Sequence, residues 1–173
     1  MAAVSERVEK RLQGIVGEDK VRTDRIERKM YSFDIGALPK LIKPFVDVGT
    51  AGAVVRPGSE DEIVELMRLA EAEGLKLVPR GLATSGYGGV LPVDGAVVVD
   101  LSTRMNGILE IDEERKTVRT QPGAIWEVIE RELNKLGLTL NLYPSSAPAS
   151  SVAGWLAQGG SGFGSYEYGT FQE

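Results

Sequence analysis

Pro79-Arg80-Gly81-Leu82-Ala83-Thr84-Ser85-Gly86-Tyr87-Gly88-Gly89 stands between two apolar runs, Leu75-Lys76-Leu77-Val78 and Ala96-Val97-Val98-Val99. The stretch holds four glycines, the hydroxyls of Thr84 and Ser85, one arginine and no acid. Glycine reaches positive φ without steric cost and lets the backbone come close to a ligand. Successive main-chain N–H groups in such a turn form a concave nest that attracts anions. A loop of this composition, hung between strands, suits a phosphate or pyrophosphate. It fits an ordinary long surface turn equally well.

The chain around it has 173 residues, 42% apolar and 26% charged, the balance of a soluble globular protein with a real core. A net charge of −5 with scattered basic residues argues against nucleic-acid binding. The absence of cysteine excludes disulfides and thiolate sites, and the absence of histidine removes Ser-His triads and the commonest metal ligand. No metal site and no catalytic residue is therefore assigned. No apolar run approaches the roughly 20 residues that cross a bilayer. The start, Met1-Ala2-Ala3-Val4-Ser5-Glu6-Arg7, lacks the apolar core of a signal peptide, so a cytoplasmic protein is expected.

Before the loop, Val4, Val8, Leu12, Ile15 and Val16 recur at helical spacing and predict an amphipathic helix to about Gly17. Residues 18–48, charged and then irregular with Pro39 and Pro44, read as a linker or surface arm. Ala53-Val54-Val55 reads as a strand. Ser59 and Glu62 form a capping box for a helix from about Glu60, with Ile63, Leu66, Met67 and Ala70 inward and Gly74 closing it. Leu75–Val78 is the next predicted strand. Ala96–Leu101 is another, covered on both faces.

After the loop, Ile108–Asp112 and Thr117–Gln121 alternate in character about the charged turn Glu113–Lys116 and predict a hairpin. Ile125, Val128, Ile129, Leu133 and Leu136 predict a helix closed by Gly137, and Leu138–Leu142 reads as one more strand. Residues 144–170 are then rich in Gly, Ser and Ala, as low-complexity linkers are. Trp155, Leu156, Phe163, Tyr166 and Tyr168 are interleaved, which favours a surface packed closely on a flat ligand over a solvated linker. Ser150 or Ser151 is placed to cap a short helix over 152–158. No G-x-G-x-x-G and no G-x-x-x-x-G-K occurs, so neither a Rossmann site nor a P-loop is supported.

The joint spacing of these stretches resembles the N-terminal part of the FAD-binding domain of the vanillyl-alcohol-oxidase (p-cresol methylhydroxylase) type. The branch it is most similar to is that of the D-lactate dehydrogenase and glycolate oxidase flavoproteins. The resemblance rests on Val54–Ile63, on Val78–Ser85, on Val98–Asn106, on Ser151–Gly154 with Gly162 and Tyr168-Gly169, and on the lead-in Tyr31-Ser32-Phe33-Asp34. It covers about residues 22–173. It implies an α+β fold: a small mixed sheet with flanking helices, then a second sheet that looks truncated at the C-terminus. The expected divisions are an N-terminal helix and arm over 1–48, then a partial domain over 49–173. That domain comprises a first subdomain of about 49–107 and an incomplete second of about 108–173.

The resemblance implies FAD as cofactor, with the pyrophosphate cradled by Pro79, Arg80, Gly81, Leu82, Ala83, Thr84, Ser85, Gly86 and Gly88. Pro144, Ser145, Ser146, Ser151, Val152, Ala153, Gly154, Gly159, Gly162, Tyr168 and Gly169 would lie along the flavin and its ribityl chain. Leu82 and Ala83 stand where the family commonly has glycine. Leu82 then needs an ordinary backbone conformation and an apolar place for its side chain. Without His or Cys the family's covalent flavin linkages are not expected, so FAD is expected to be held non-covalently. The implied activity is oxidation of a small 2-hydroxy acid such as lactate or glycolate. A second polypeptide or a missing C-terminal half would complete the domain and supply the substrate cap. The alternative is a non-catalytic FAD-binding subunit of a larger electron-transfer complex, with an iron–sulfur subunit as partner.

Overall fold

The structure, a computed structural model, describes residues 3–36 and 49–171. The chain divides into two compact units, Met1–Leu101 and Ser102–Glu173.

In the first unit the predicted N-terminal helix is α1 (Glu6–Val16), capped by the Ser5 side chain, which accepts from the Val8 N–H. Residues 18–36 are more structured than a linker. A 3-10 turn (Glu18–Lys20) leads into β1 (Val21–Arg22), which pairs antiparallel with β2 (Ala53–Val55). Helix α2 (Arg25–Met30) follows, with the Asp24 carboxylate accepting from the Glu27 N–H at 2.9 Å. The rest of the predicted arm, residues 37–48, lies outside the described residues.

Helix α3 (Glu60–Glu73) starts where the capping box places it. Ser59 Oγ accepts from the Glu62 N–H at 3.2 Å, but the Glu62 carboxylate accepts from Gly58 N, at 2.7 Å, one residue before the position a regular box would use. Leu66, Leu69 and Ala70 face the core, whereas Met67 of the predicted stripe is 60% exposed. Gly74 ends the helix at φ +62, the left-handed conformation its position requires. β3 runs from Leu77 to Arg80, two residues later than the apolar run suggests, and β4 spans Val97–Asp100.

The sheet order is β1-β2-β4-β3, with β2, β4 and β3 parallel. Side chains alternate along a strand, and the two faces divide accordingly. Ala53, Val55, Val97 and Val99 meet Val8, Leu12 and Val16 of α1 and Leu66 and Leu69 of α3. Val54 and Val98 point the other way, where Ala51 and Tyr31 cover them. All four β4 side chains are buried, as a strand covered on both faces must be.

The second unit opens with the predicted hairpin, β5 (Ile108–Asp112) against β6 (Thr117–Thr120), with an irregularity between Ile108 and Glu110. Helix α4 (Trp126–Asn134) lays Ile129 and Leu133 on Ile108, Ile111 and Val118. Val128 and Leu136 of the predicted stripe are 40% and 43% exposed, and Trp126 is buried in their stead. Leu138–Leu142 is not a strand. Glu130 of α4 captures this segment: its carboxylate accepts from the Thr139 hydroxyl at 2.6 Å and the Leu140 N–H at 2.8 Å. Helices α5 (Val152–Ala157) and α6 (Ser165–Tyr168) then fold the Gly/Ser/Ala-rich stretch, which overturns the linker reading.

Candidate functional site

Three residues with charged side chains stand at the carboxyl ends of the parallel strands: Arg56 just after β2, Arg80 ending β3 and Asp100 ending β4. In open parallel sheets ligands bind outside this edge. Here Tyr31 fills part of it. Its ring lies under the guanidinium groups of Arg56 and Arg80, 5.5 and 5.1 Å from the ring centre. Its hydroxyl donates to Asp100 Oδ2 at 2.7 Å. Arg56 also pairs with Glu27 and lies 3.6 Å from the Asp100 carboxylate, which is 1% exposed. Burial raises the Tyr31 phenol above its ordinary 10.0, with the Arg56 hydrogen bond opposing and the Asp100 carboxylate adding to the rise.

The glycine-rich loop leaves β3 at this edge. Arg80, one of the expected pyrophosphate residues, donates to the carbonyls of Phe33 at 2.8 Å and Tyr31 at 3.4 Å, so its guanidinium anchors the lead-in segment. Leu82 keeps an ordinary backbone, as expected, but its side chain is 39% exposed. The unusual conformation falls on Ala83, at φ +57 and buried, where an L-residue is strained and glycine would not be. Gly86 and Gly88 follow at φ +70 and +81. The Ser85 hydroxyl accepts from the Tyr87 N–H at 3.2 Å. Among the described residues, no hydrogen bond uses the main-chain N–H of Leu82, Ala83, Thr84, Ser85 or Gly86. Five consecutive donors without an acceptor among the described residues are what a polyanion needs.

One acid reaches the loop from outside it. Asp34 Oδ2 accepts from Gly88 N at 2.9 Å, and Oδ1 accepts from Gly36 N at 2.8 Å. The loop's own composition holds no acid and gave no sign of this contact.

The second unit carries the other expected residues. Tyr143 and Phe163 form an antiparallel bridge, with Tyr143 N to Phe163 O at 3.2 Å and Phe163 N to Tyr143 O at 2.9 Å. Beside it Pro144 and Ser145 line a concavity of about 280 Å³ with Tyr143, Phe163, Trp126, Glu127 and Glu130. Ser146 precedes the 3-10 turn Ala147–Ala149. Ser151 starts α5 from a buried position without a side-chain capping bond. The Val152 and Ala153 amides donate to Ala124 O at 2.9 Å and Pro122 O at 3.1 Å, so the fold itself takes these two donors. Gly154 packs on Ser151 Oγ.

The later glycines serve the chain's own packing. A Cβ on Gly162 would stand 2.3 Å from Tyr143 O, and one on Gly164, at φ +87, 1.9 Å from Asn141 O. Gly159 takes φ +79 at the end of α5, and the next residue, Gly160, packs on Trp155 and Phe171 of the Trp126–Trp155–Phe171 aromatic cluster, whose T-shaped pairs are 5.1 to 5.8 Å apart. Tyr168 is 52% exposed on α6, ahead of Gly169, and Tyr166 is fully exposed and outside any core. The structure thus gathers residues 79–88 in one loop and 143–169 in a second region, each within its own unit.

Comparison with known proteins follows the same outline. The FAD binding domain family matches residues 51–173. Glycolate oxidase subunit GlcD of Bacillus subtilis (strain 168) is 30% identical over 170 residues, covering 98% of this chain and 34% of that protein. Alkyldihydroxyacetonephosphate synthase of Dictyostelium discoideum is 30% identical over 162 residues, 90% of this chain and 26% of its own length. A solved alkyldihydroxyacetonephosphate synthase structure superposes with a TM-score of 0.85 at 27% identity, over 99% of this chain and 32% of that one. The chain spans about a quarter to a third of the length of these relatives. No helix among the described residues is long and apolar enough to cross a membrane.

Proposed function

The chain belongs to the FAD binding domain family, and we propose that it is the FAD-binding part of a flavin-dependent oxidoreductase. One observation carries the assignment of the first loop. The N–H groups of Leu82–Gly86 find no acceptor among the described residues, at the ligand-binding edge of a parallel sheet. These amides, with the Thr84 hydroxyl, would take the pyrophosphate. Bound FAD would supply the hydride chemistry, and the chain would supply position and electrostatics. Pro144, Ser145 and the residues around α5 are proposed for the flavin end of the cofactor. The cofactor is held non-covalently in this reading, because the chain has neither His nor Cys.

We place the whole protein's substrate among small 2-hydroxy acids, on the likeness to a glycolate oxidase subunit. The equal identity to an alkyldihydroxyacetonephosphate synthase supports a second reading, in which the same FAD part serves a different substrate. Further polypeptide, covalently continuous or a separate subunit in the cytoplasm, would supply the rest of the cofactor domain and the substrate cap. The test is an absorption spectrum of the purified chain, alone and after co-expression with the polypeptide encoded beside it. Flavin bands in the co-expressed preparation are the expected result, with the flavin released by acid precipitation. Absence of flavin from both preparations would overturn the assignment. Lactate or glycolate reducing that flavin supports the hydroxy-acid reading, and an inert flavin refutes it.

A further inference from the structure

The lead-in segment 31–36 and the glycine-rich loop touch along the loop's whole length. Arg80 donates to Phe33 O at the loop's start. The Ile35 N–H donates to Ala83 O at 3.3 Å in its middle. Gly36 packs so close to Gly86 that a Cβ on Gly36 would stand 2.7 Å from Gly86 O. Asp34 then closes the far end through Gly88 N at 2.9 Å. We propose that Asp34 is a positioning residue for the anion loop, a carboxylate latch that fixes its far end and holds the Leu82–Gly86 N–H groups ready for a pyrophosphate. The proposal rests on the FAD reading given above.

The physical case turns on what the loop lacks. Its residues make few hydrogen bonds of their own, and three of them, Ala83, Gly86 and Gly88, hold positive φ. A glycine-rich segment without a tie samples many conformations, and a ligand that needs one of them binds more weakly by that fraction. Asp34 supplies the tie from 54 residues away in sequence. A carboxylate beside an anion site would ordinarily repel the ligand. This one has both oxygens engaged by main-chain N–H groups, and Arg80 lies within electrostatic reach. Both of its oxygens are thereby turned to protein donors rather than to the ligand. Asparagine keeps only one acceptor oxygen, so it can serve Gly88 or Gly36 but not both.

The test compares wild type, Asp34→Ala and Asp34→Asn in the full chain. Hydrogen exchange reports the loop, and the FAD dissociation constant is measured in whichever preparation carries flavin. Asp34→Ala is expected to speed exchange at least tenfold at Gly88 and at the hydrogen-bonded Tyr87 and Ile35 amides that report the loop, leave the Val97–Val99 amides of β4 unchanged, and weaken FAD at least tenfold. Asp34→Asn is expected to fall between the two. Unchanged loop exchange in Asp34→Ala overturns the proposal, as does a loosened loop with undiminished FAD affinity. So does equal acceleration at β4, which would make Asp34 merely structural, and so does an asparagine variant as loose as alanine. A wild type that never binds FAD refutes the cofactor reading instead, and the exchange arm still decides whether Asp34 holds the loop.

Discussion

Replacing Tyr31 by phenylalanine removes one oxygen and leaves the ring between Arg56 and Arg80. The lost bonds are the 3.3 Å donation from Arg56 to the phenol oxygen and the 2.7 Å donation to Asp100 Oδ2, a carboxylate 1% exposed that water cannot readily reach. A hydrogen bond to a charged group contributes about 1.5–3 kcal/mol, and truncating one partner leaves the buried acceptor short of a donor. Arg56, at 3.6 Å from the same carboxylate, compensates in part. The expected loss at pH 7 is about 2 kcal/mol, which lowers a urea midpoint by roughly 1 M for a slope of about 2 kcal/mol/M.

The pH dependence gives a second, independent readout. Folding raises the Tyr31 pKa above 10.0, so the fold favours the neutral phenol. That contribution is fully present below pH 10, the unfolded value, and is lost as pH rises through the higher folded value. Phenylalanine has nothing to lose there. The stability gap between wild type and Tyr31→Phe should therefore narrow above pH 10. Urea unfolding followed by far-ultraviolet circular dichroism at pH 7 and at alkaline pH measures both effects. A gap under about 0.5 kcal/mol at neutral pH, or one that fails to narrow, would refute this account of the carboxyl-edge network.

Other perturbations test other parts of the chain. Gly162→Ala places a Cβ 2.3 Å from the Tyr143 carbonyl and should cost about 1–3 kcal/mol, read by tryptophan fluorescence because both tryptophans, Trp126 and Trp155, lie in the second unit; an unmoved transition would mean that the Tyr143–Phe163 bridge is not formed. Leu82→Asp, at a side chain 39% exposed, should leave the circular dichroism spectrum intact and abolish FAD retention by setting a carboxylate beside the pyrophosphate, so stoichiometric FAD in that variant would sink the loop assignment. Glu73→Ala removes the shared partner of Arg7 and Arg11 that ties α1 to α3, and should cost about 0.5–1 kcal/mol in low salt and less in about 1 M salt, whereas a salt-independent loss would point to packing instead.

Local rules carried much of the outline. The 3.6-residue spacing of Val8, Leu12 and Val16 produced α1, Ser59 and Gly74 bounded α3, and the unbroken apolar run at Val97–Val99 became a strand buried on both faces. The hairpin over 108–120 follows from alternation about a charged turn. These signals lie within one turn or one strand of the residues they govern, so a single chain displays them. The glycine-rich loop was legible in the same way, as a composition suited to anions.

Tertiary structure decided whatever depends on a distant partner. Val21-Arg22 is a strand because Val55 and Val54 present an open edge to it, and Leu138–Leu142 is not one, its Leu140 N–H and Thr139 hydroxyl going to the Glu130 carboxylate instead. Met67 of the predicted α3 stripe is exposed, and on α4 Trp126 is buried where Val128 and Leu136 were expected, because the neighbouring elements, not the helix period alone, choose which part of a stripe is covered. Arg80 looked available for phosphate until the fold brought the carbonyls of Tyr31 and Phe33 to it, 49 and 47 residues away in sequence. Asp34 reached Gly88 across 54 residues by the same route. The sequence determined which segments can be helix, strand or anion loop, since those choices are made by neighbours along the chain. Which donors the loop keeps free, and what holds it still, were set only when hydrogen-bond partners far apart in sequence competed in space.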